Sequence, residues 1–161
     1  MPNDTKGSRY HRAMRVAEVM TKPAVTVPPD MKVAEVARTL LDKGVRAVVV
    51  LENGRLAGII TETDLLVRNA HLHFPSYLGI LENLLPIGGD RNLEDELRRV
   101  LAVTAREVMT EEVRTAAPDD DLGEVAHEMV QRRLHAIPVV KDGVVEGMLF
   151  PSDVVRLVAR D

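Results

Sequence analysis

The chain has no cysteine among its 161 residues. Disulfides, thiolate nucleophiles and cysteine-ligated zinc are therefore excluded. Tryptophan is absent as well, and two tyrosines and two phenylalanines make up the whole aromatic content. A stacking platform for single-stranded nucleic acid needs more rings than that. The core must be built from Val, Leu, Ile, Ala and Met instead. Neither sign of charge is in large excess: 21 Lys and Arg stand against 25 Asp and Glu, a net charge of −4. This balance supplies no whole-molecule field for a polyanion or an anionic membrane. No apolar run reaches the ~18 residues needed to span a bilayer. The opening stretch MPNDTKGSRYHRAM is polar and basic and lacks a secretory apolar segment. The expectation is a cytoplasmic globular protein of one or two compact domains, with no membrane partner.

Catalytic signatures are missing too. The sequence contains no nucleophile elbow, no GxxxxGK phosphate loop and no HExxH. Acids are plentiful, but nothing singles out a converging pair. No catalytic residue is expected, and the chain is not read as an enzyme. His71 and His73 stand two apart without a third ligand nearby, which is weak evidence for a metal, and none is expected.

What the sequence does contain is a repeat. Shifted by 89 positions, residues 18–64 align without a gap on residues 107–153, with 15 identities in 47 positions. Average residue usage would give about three. The identities include Glu18-Val19-Met20-Thr21 with Glu107-Val108-Met109-Thr110, then Pro29-Asp30, Glu35-Val36-Ala37, Gly54, Gly58 and Asp64 with their counterparts.

Each unit reads alike. A short extended piece, Ala24 to Val27 or Val113 to Ala116, stops at a proline-containing turn. Asp30 or Asp119 is expected to cap the next helix, whose apolar positions (Val33, Val36, Ala37, Leu40, Leu41; Leu122, Val125, Ala126, Met129, Val130) follow helical spacing. Gly44 is expected to close the first helix, whereas the second has Arg133 there and lacks that signal. A buried-type run follows, Ala47 to Leu51 or Ala136 to Val140. It leads into Asn53-Gly54 or Asp142-Gly143, a strong hairpin signal. The returning strands, Leu56 to Ile60 and Val144 to Leu149, run towards Asp64 and Asp153 and a further apolar helical stretch. The unit is β-α-β-β-α. One such unit leaves an apolar sheet face bare, so two should pack together.

The remaining segments differ in character. Residues 1–15 are read as a flexible basic tail; Lys6, Arg9, His11, Arg12 and Arg15 could touch nucleic acid but are usually just solvated in such a tail. Residues 69–104 exceed an ordinary linker and are read as a helical insertion packed on the pair.

With the repeat laid out, the sequence resembles the CBS-domain family, named after cystathionine β-synthase. The resemblance lies in VAEVMTKPAVTVPPD, KGVRAVVVLENGRLAGIITETDLL, REVMTEEVRTAAPDD and RRLHAIPVVKDGVVEGMLFPSDVV, about two-thirds of the chain. It implies an α/β (α+β) fold in which two β-α-β-β-α repeats, 16–68 and 105–161, form one pseudo-twofold module that often dimerises into a flat disc. It also implies a non-enzymatic module that requires no cofactor. Such a module takes a regulatory adenosine ligand (AMP, ADP, ATP or S-adenosylmethionine) in clefts between repeats and acts on a partner protein.

Carried over residue by residue, the resemblance sets out two unequal clefts. The first combines Thr61, Thr63 and Asp64 with Leu134 and His135. In it Asp64 would accept ribose hydroxyls, while the threonines and the N–H groups of a fresh helix would meet phosphate. The second combines Ser152 and Asp153 with Val45 and Arg46, but Phe150 replaces Thr61 and Pro151 removes an N–H donor. Arg46 and His135 are candidate phosphate partners or solvated rim residues. Asp64 and Asp153 could equally be helix caps worth ~1 kcal/mol each, and the methionines core filling. The first cleft is favoured as the tighter. Two other readings stay open: a structural dimerisation module with decayed pockets, and a nucleic-acid-associated regulator using the tail.

Overall fold

A computed structural model of the chain describes residues 13–65 and 103–159. The expected tail and helical insertion, all but their inner ends, and the pair His71 and His73 lie outside the described residues.

The first repeat opens with a 3-10 turn at Val16–Glu18, followed by β1 (Thr26–Val27), α1 (Val33–Lys43), β2 (Ala47–Glu52) and β3 (Arg55–Thr61). α1 carries the chain from β1 to the parallel strand β2, and β3 returns antiparallel, giving sheet order β1-β2-β3. The second repeat has α2 (Ala105–Val108), α3 (Leu122–Arg132), the antiparallel pair β4 (Ile137–Lys141) and β5 (Val144–Leu149), and α4 (Pro151–Val158). The extended piece expected at Val113 to Ala116 shrinks to one parallel bridge, Ala116 to Val139, where β1 stands in the first repeat.

Asn53 (φ 51°) with Gly54 (φ 76°) and Asp142 (φ 51°) with Gly143 (φ 78°) are left-handed at both central positions. That is the type I′ turn, whose twist matches the strands it joins. The run Val48-Val49-Val50 is buried throughout because β2 is covered on both faces. Val48 and Val50 pack with Val36 and Leu40 of α1, while Ala47 and Val49 pack with Ile59, Met148 and Phe150. The second set is the seam where the two repeats meet.

The helix caps differ from expectation in two ways. α1 begins after Lys32 with no side-chain cap, and α3 begins after Asp121, whose carboxylate accepts the Glu124 N–H at 3.0 Å. Asp30 and Asp119 fall two residues too early, because a hydrogen-bonded turn intervenes (Met31 N–H to the Pro28 carbonyl; Asp120 N–H to the Ala117 carbonyl). Asp119 instead pairs with Arg15 at 2.8 Å. At the C-termini, Gly44 (φ 61°) and Arg133 (φ 55°) are both left-handed. In each case the next N–H, of Val45 or Leu134, reaches back to Leu40 or Met129, and those apolar pairs share a core. This is the Schellman closure. It forces Arg133 into a conformation costing a non-glycine residue ~1 kcal/mol or more.

The leading segment of each repeat belongs to the core of the other. Val16 and Met20 are buried with Leu122, Val125, Met129, Ile137 and Leu149 of the second repeat. Ala105, Val108 and Met109 are buried with Val27, Val36, Leu40, Val50 and Ile60 of the first. Backbone pairs clamp both crossings: Thr21 exchanges hydrogen bonds with Met148 at 2.8 and 3.0 Å, and Thr110 with Ile59 at 2.9 and 3.0 Å. Close approach requires glycine at two points. A Cβ on Gly58 would sit 2.7 Å from the Met109 sulfur and 2.9 Å from the Thr110 carbonyl oxygen, and one on Gly147 would sit 2.7 Å from the Thr21 carbonyl oxygen.

Gly58→Ala and Gly147→Ala should therefore each cost about 1–3 kcal/mol, since a packed crossing must shift to admit the methyl group. Urea unfolding measures this; midpoints equal to wild type would mean the crossings are not as tight as described.

Candidate functional site

Each repeat leaves its sheet through a residue, Thr61 or Phe150, whose third neighbour is an aspartate. In the first repeat β3 stops at Thr61 and helix begins at residue 62. Asp64 Oδ2 accepts the Thr61 N–H at 2.8 Å and the Thr61 hydroxyl at 2.9 Å, and the Asp64 N–H reaches Thr61 Oγ1 at 3.2 Å. This is a reciprocal cap, and it locks the carboxylate's orientation. The neighbouring Glu62 N–H goes to the Arg46 carbonyl at 3.0 Å. The N–H groups of Thr61, Glu62 and Asp64 are thus already taken. The free phosphate cradle expected at this helix start is largely filled by the protein itself.

Beside this corner a cleft of about 160 Å³ opens between the repeats. Thr61 and Asp64 face Leu134 and His135 across it, with Ile59 and Ala136 as apolar walls. Four of the residues expected at the first cleft are therefore brought together; the fifth, Thr63, is exposed and is not among the lining residues. Among the described residues nothing hydrogen-bonds Asp64 Oδ1, and the half-buried carboxylate keeps accepting capacity on that side. Thr110, Arg114 and Arg133 also line the cleft, and sequence reasoning missed them as site residues. Thr110 was visible only as the repeat partner of Thr21, and its place here depends on the exchange of leading segments.

Arg114 is committed elsewhere. Its Nε lies 3.0 Å from both Glu128 oxygens and its Nη2 2.8 Å from Oε2, while Arg132 reaches Glu128 Oε1 at 3.2 Å. The hydrogen bond from Arg114, aided by its charge and that of Arg132, holds the Glu128 carboxyl below the usual range.

The second corner is built from the same backbone and is closed. Phe150, in place of Thr61, is buried in the seam between the repeats. Asp153 is 3% exposed. Its Oδ2 accepts the Phe150 N–H at 2.8 Å, its Oδ1 accepts the Thr21 hydroxyl at 3.0 Å, and Arg156 adds an ion pair. Thr110, the counterpart of Thr21, makes no such bond to Asp64. Ser152 and Arg46 are exposed and Val45 is half-buried against the first core. The carboxylate that the resemblance would give to a second ribose is spent within the protein.

The model of the CBS domain matches residues 16–70 and again 105–160. The chain belongs to the CBS-domain family. It is 29% identical over 147 residues to the uncharacterized protein MJ1225 of Methanocaldococcus jannaschii, covering 89% of this chain; it spans about half, 47%, of that protein's length. The CBS domain pair of protein MJ0100, crystallised with 5-methylthioadenosine and S-adenosyl-L-methionine, superposes with a TM-score of 0.69 at 24% identity, over 92% of this chain and 98% of that one. The protein CBSX2, crystallised with AMP, superposes with a TM-score of 0.67 at 20% identity, over 91% and 96%. The expected family and the mixed α/β fold of two repeats therefore hold. Among the described residues, no group of three His, Asp or Glu side chains could hold a metal ion, and no helix is long and apolar enough to cross a membrane.

The Glu128 pairing gives CBS repeat two an acid-sensitive contact. A carboxyl lowered by folding stabilises the native state above its ordinary value of 4.5 and loses that contribution as pH falls through the lowered value. Glu128→Gln should therefore flatten the fall in urea midpoint between about pH 6 and about pH 3. An identical fall in both proteins would show that the pair contributes nothing.

Proposed function

We propose that this CBS pair is a non-enzymatic regulatory module that binds one adenosine-containing ligand, of the class AMP, ADP, ATP or S-adenosylmethionine, between its repeats. The observation that carries this reading is the contrast between the two aspartates. Asp64 lines an interrepeat cleft and has one oxygen unbonded among the described residues, whereas Asp153 is buried and fully engaged. Asp64 would accept the two ribose hydroxyls, as charge-assisted bonds to a carboxylate already fixed by Thr61. Ile59, Leu134 and Ala136 would flank the base, and His135 would meet the phosphate end from the rim. The adenosine ligands held by the MJ0100 pair and by CBSX2 support the ligand class. Binding across both repeats gives the ligand different affinities for different arrangements of the two, which is how occupancy would reach a partner protein.

A panel of AMP, ADP, ATP and S-adenosylmethionine in a thermal-shift assay should raise the melting temperature with at least one member. Calorimetry with that ligand should then show Asp64→Asn losing about 10-fold or more in affinity, the worth of a charge-assisted hydrogen bond. Asp153→Asn should lower the melting temperature and leave the affinity unchanged. No shift with any member would favour a purely structural module with decayed pockets, the reading that the buried Phe150–Asp153 corner supports for the second half.

Pairing with a second copy is supported by a separate observation. Leu41 on α1 and Val130 on α3 occupy the same repeat position and are 78% and 79% exposed; Val155 and Val158 on α4 are 64% and 76% exposed. Large apolar side chains this bare at matched helix positions suit a symmetric contact. The double substitution Val155→Lys with Val158→Lys should turn a dimer into a monomer in sedimentation; a monomeric wild type would refute the pairing.

A further inference from the structure

Arg133 occupies a position where the backbone favours glycine. Its φ of 55° and ψ of 43° match those of Gly44, its repeat counterpart, at 61° and 33°. Glycine serves that cap without strain, so the second repeat bears a conformational cost that the first avoids. A residue held against its backbone preference invites the question of what its side chain does. Packing is not the answer, because Arg133 is exposed. Ion pairing is not either. Arg114 and Arg132 both bind Glu128, and Arg156 binds Asp153, whereas the Arg133 side chain has no hydrogen-bond or ion-pair partner among the described residues. What Arg133 does have is a place on the lining of the Asp64 cleft, two residues from His135.

The same cleft has most of the usual alternative for holding an anion already taken up. The N–H groups of Thr61, Glu62 and Asp64 at the helix start are consumed by Asp64, Arg46 and Thr61. A phosphate entering here is met mainly by side chains, and both Nε and Nη2 of Arg114 are held by one carboxylate. A guanidinium whose donor fork is unpaired among the described residues suits phosphate oxygens well, and an exposed arginine reaches them from a rim.

From these observations we infer that Arg133 is the specificity-determining residue of the cleft, selecting a phosphorylated adenosine ligand over an uncharged or cationic one. The inference rests on the reading of this cleft as an adenosine site and adds the phosphate. Asp64 grips the sugar in every adenosine compound and so cannot discriminate among them. Arg133 discriminates by charge.

The test is calorimetric titration of wild type and Arg133→Gly with AMP and with adenosine, alongside their thermal unfolding. Glycine suits the left-handed cap, so the variant should fold and melt at or above the wild-type temperature. Wild type should bind AMP more tightly than adenosine. The variant should lose about 10-fold or more of its AMP affinity, keep its adenosine affinity, and so lose the preference. Equal losses for both ligands, no loss for AMP, or a wild type that binds adenosine as tightly as AMP would overturn the role of Arg133 and leave the adenosine site standing. A wild type that binds neither compound would overturn the site reading itself. A lower melting temperature for Arg133→Gly would show that arginine serves the fold there and would also overturn the inference.

Discussion

The exchange of leading segments between repeats is the constraint on which the rest of the structure depends. Met20-Thr21 lies on the Gly147-Met148 backbone of the second repeat, and Met109-Thr110 on the Gly58-Ile59 backbone of the first. Each crossing puts a methionine into a core that its own repeat does not own and a threonine beside a strand end that its own repeat did not make. Only a residue without a side chain allows two backbones and a thioether to come that close. Remove the crossings and each core loses two large buried side chains, Val16 and Met20 or Val108 and Met109, each worth roughly 1.5–3 kcal/mol. The seam that places Leu134 and His135 opposite Thr61 and Asp64 would lose its anchor as well.

From this common frame the two halves diverge at their strand ends. Thr21 and Thr110 are delivered to equivalent places, yet Thr21 bonds Asp153 and Thr110 leaves Asp64 alone. Phe150 fills the seam where the smaller Thr61 lines a cleft. A buried carboxylate must find partners or go uncharged, and Asp153 finds three. One half thus spends its aspartate on holding the repeats together, and the other keeps part of its aspartate's bonding capacity at the surface. The scaffold's near-symmetry does not extend to its chemistry.

Much of the architecture could be read from the residues because it is local. Asn53-Gly54 and Asp142-Gly143 dictate their turns through φ, and the α1 and α3 patterns follow helical spacing. The corner Thr61 to Asp64 is legible for the same reason, being four residues long. What escaped reading is long-range or cooperative. Nothing near Met20 says that its core lies beyond residue 120, since an aligned repeat looks the same whether or not its leading segments are exchanged. Arg133 was read as the loss of a cap, yet Leu134 meeting Met129 and the paired back-bonds impose the left-handed turn on whatever residue stands there. The helix starts moved by two residues because a turn, invisible to periodicity, precedes them. The closure of the second corner needs Thr21, Phe150 and Arg156 at once, and Thr21 comes from 132 residues away.

The crossing also orders events during synthesis. Thr21 and its partner Asp153 are 132 residues apart, so a nascent chain carries Val16 and Met20 without their core until Ile137 and Leu149 have been made. The first repeat is in the same position until Met109 emerges. Closing so long a loop is entropically slow to be rewarded, and neither half can be finished and set aside while the other is made. The two cores therefore close together, the anchors Val16 and Met20 waiting for strands that are made long after them.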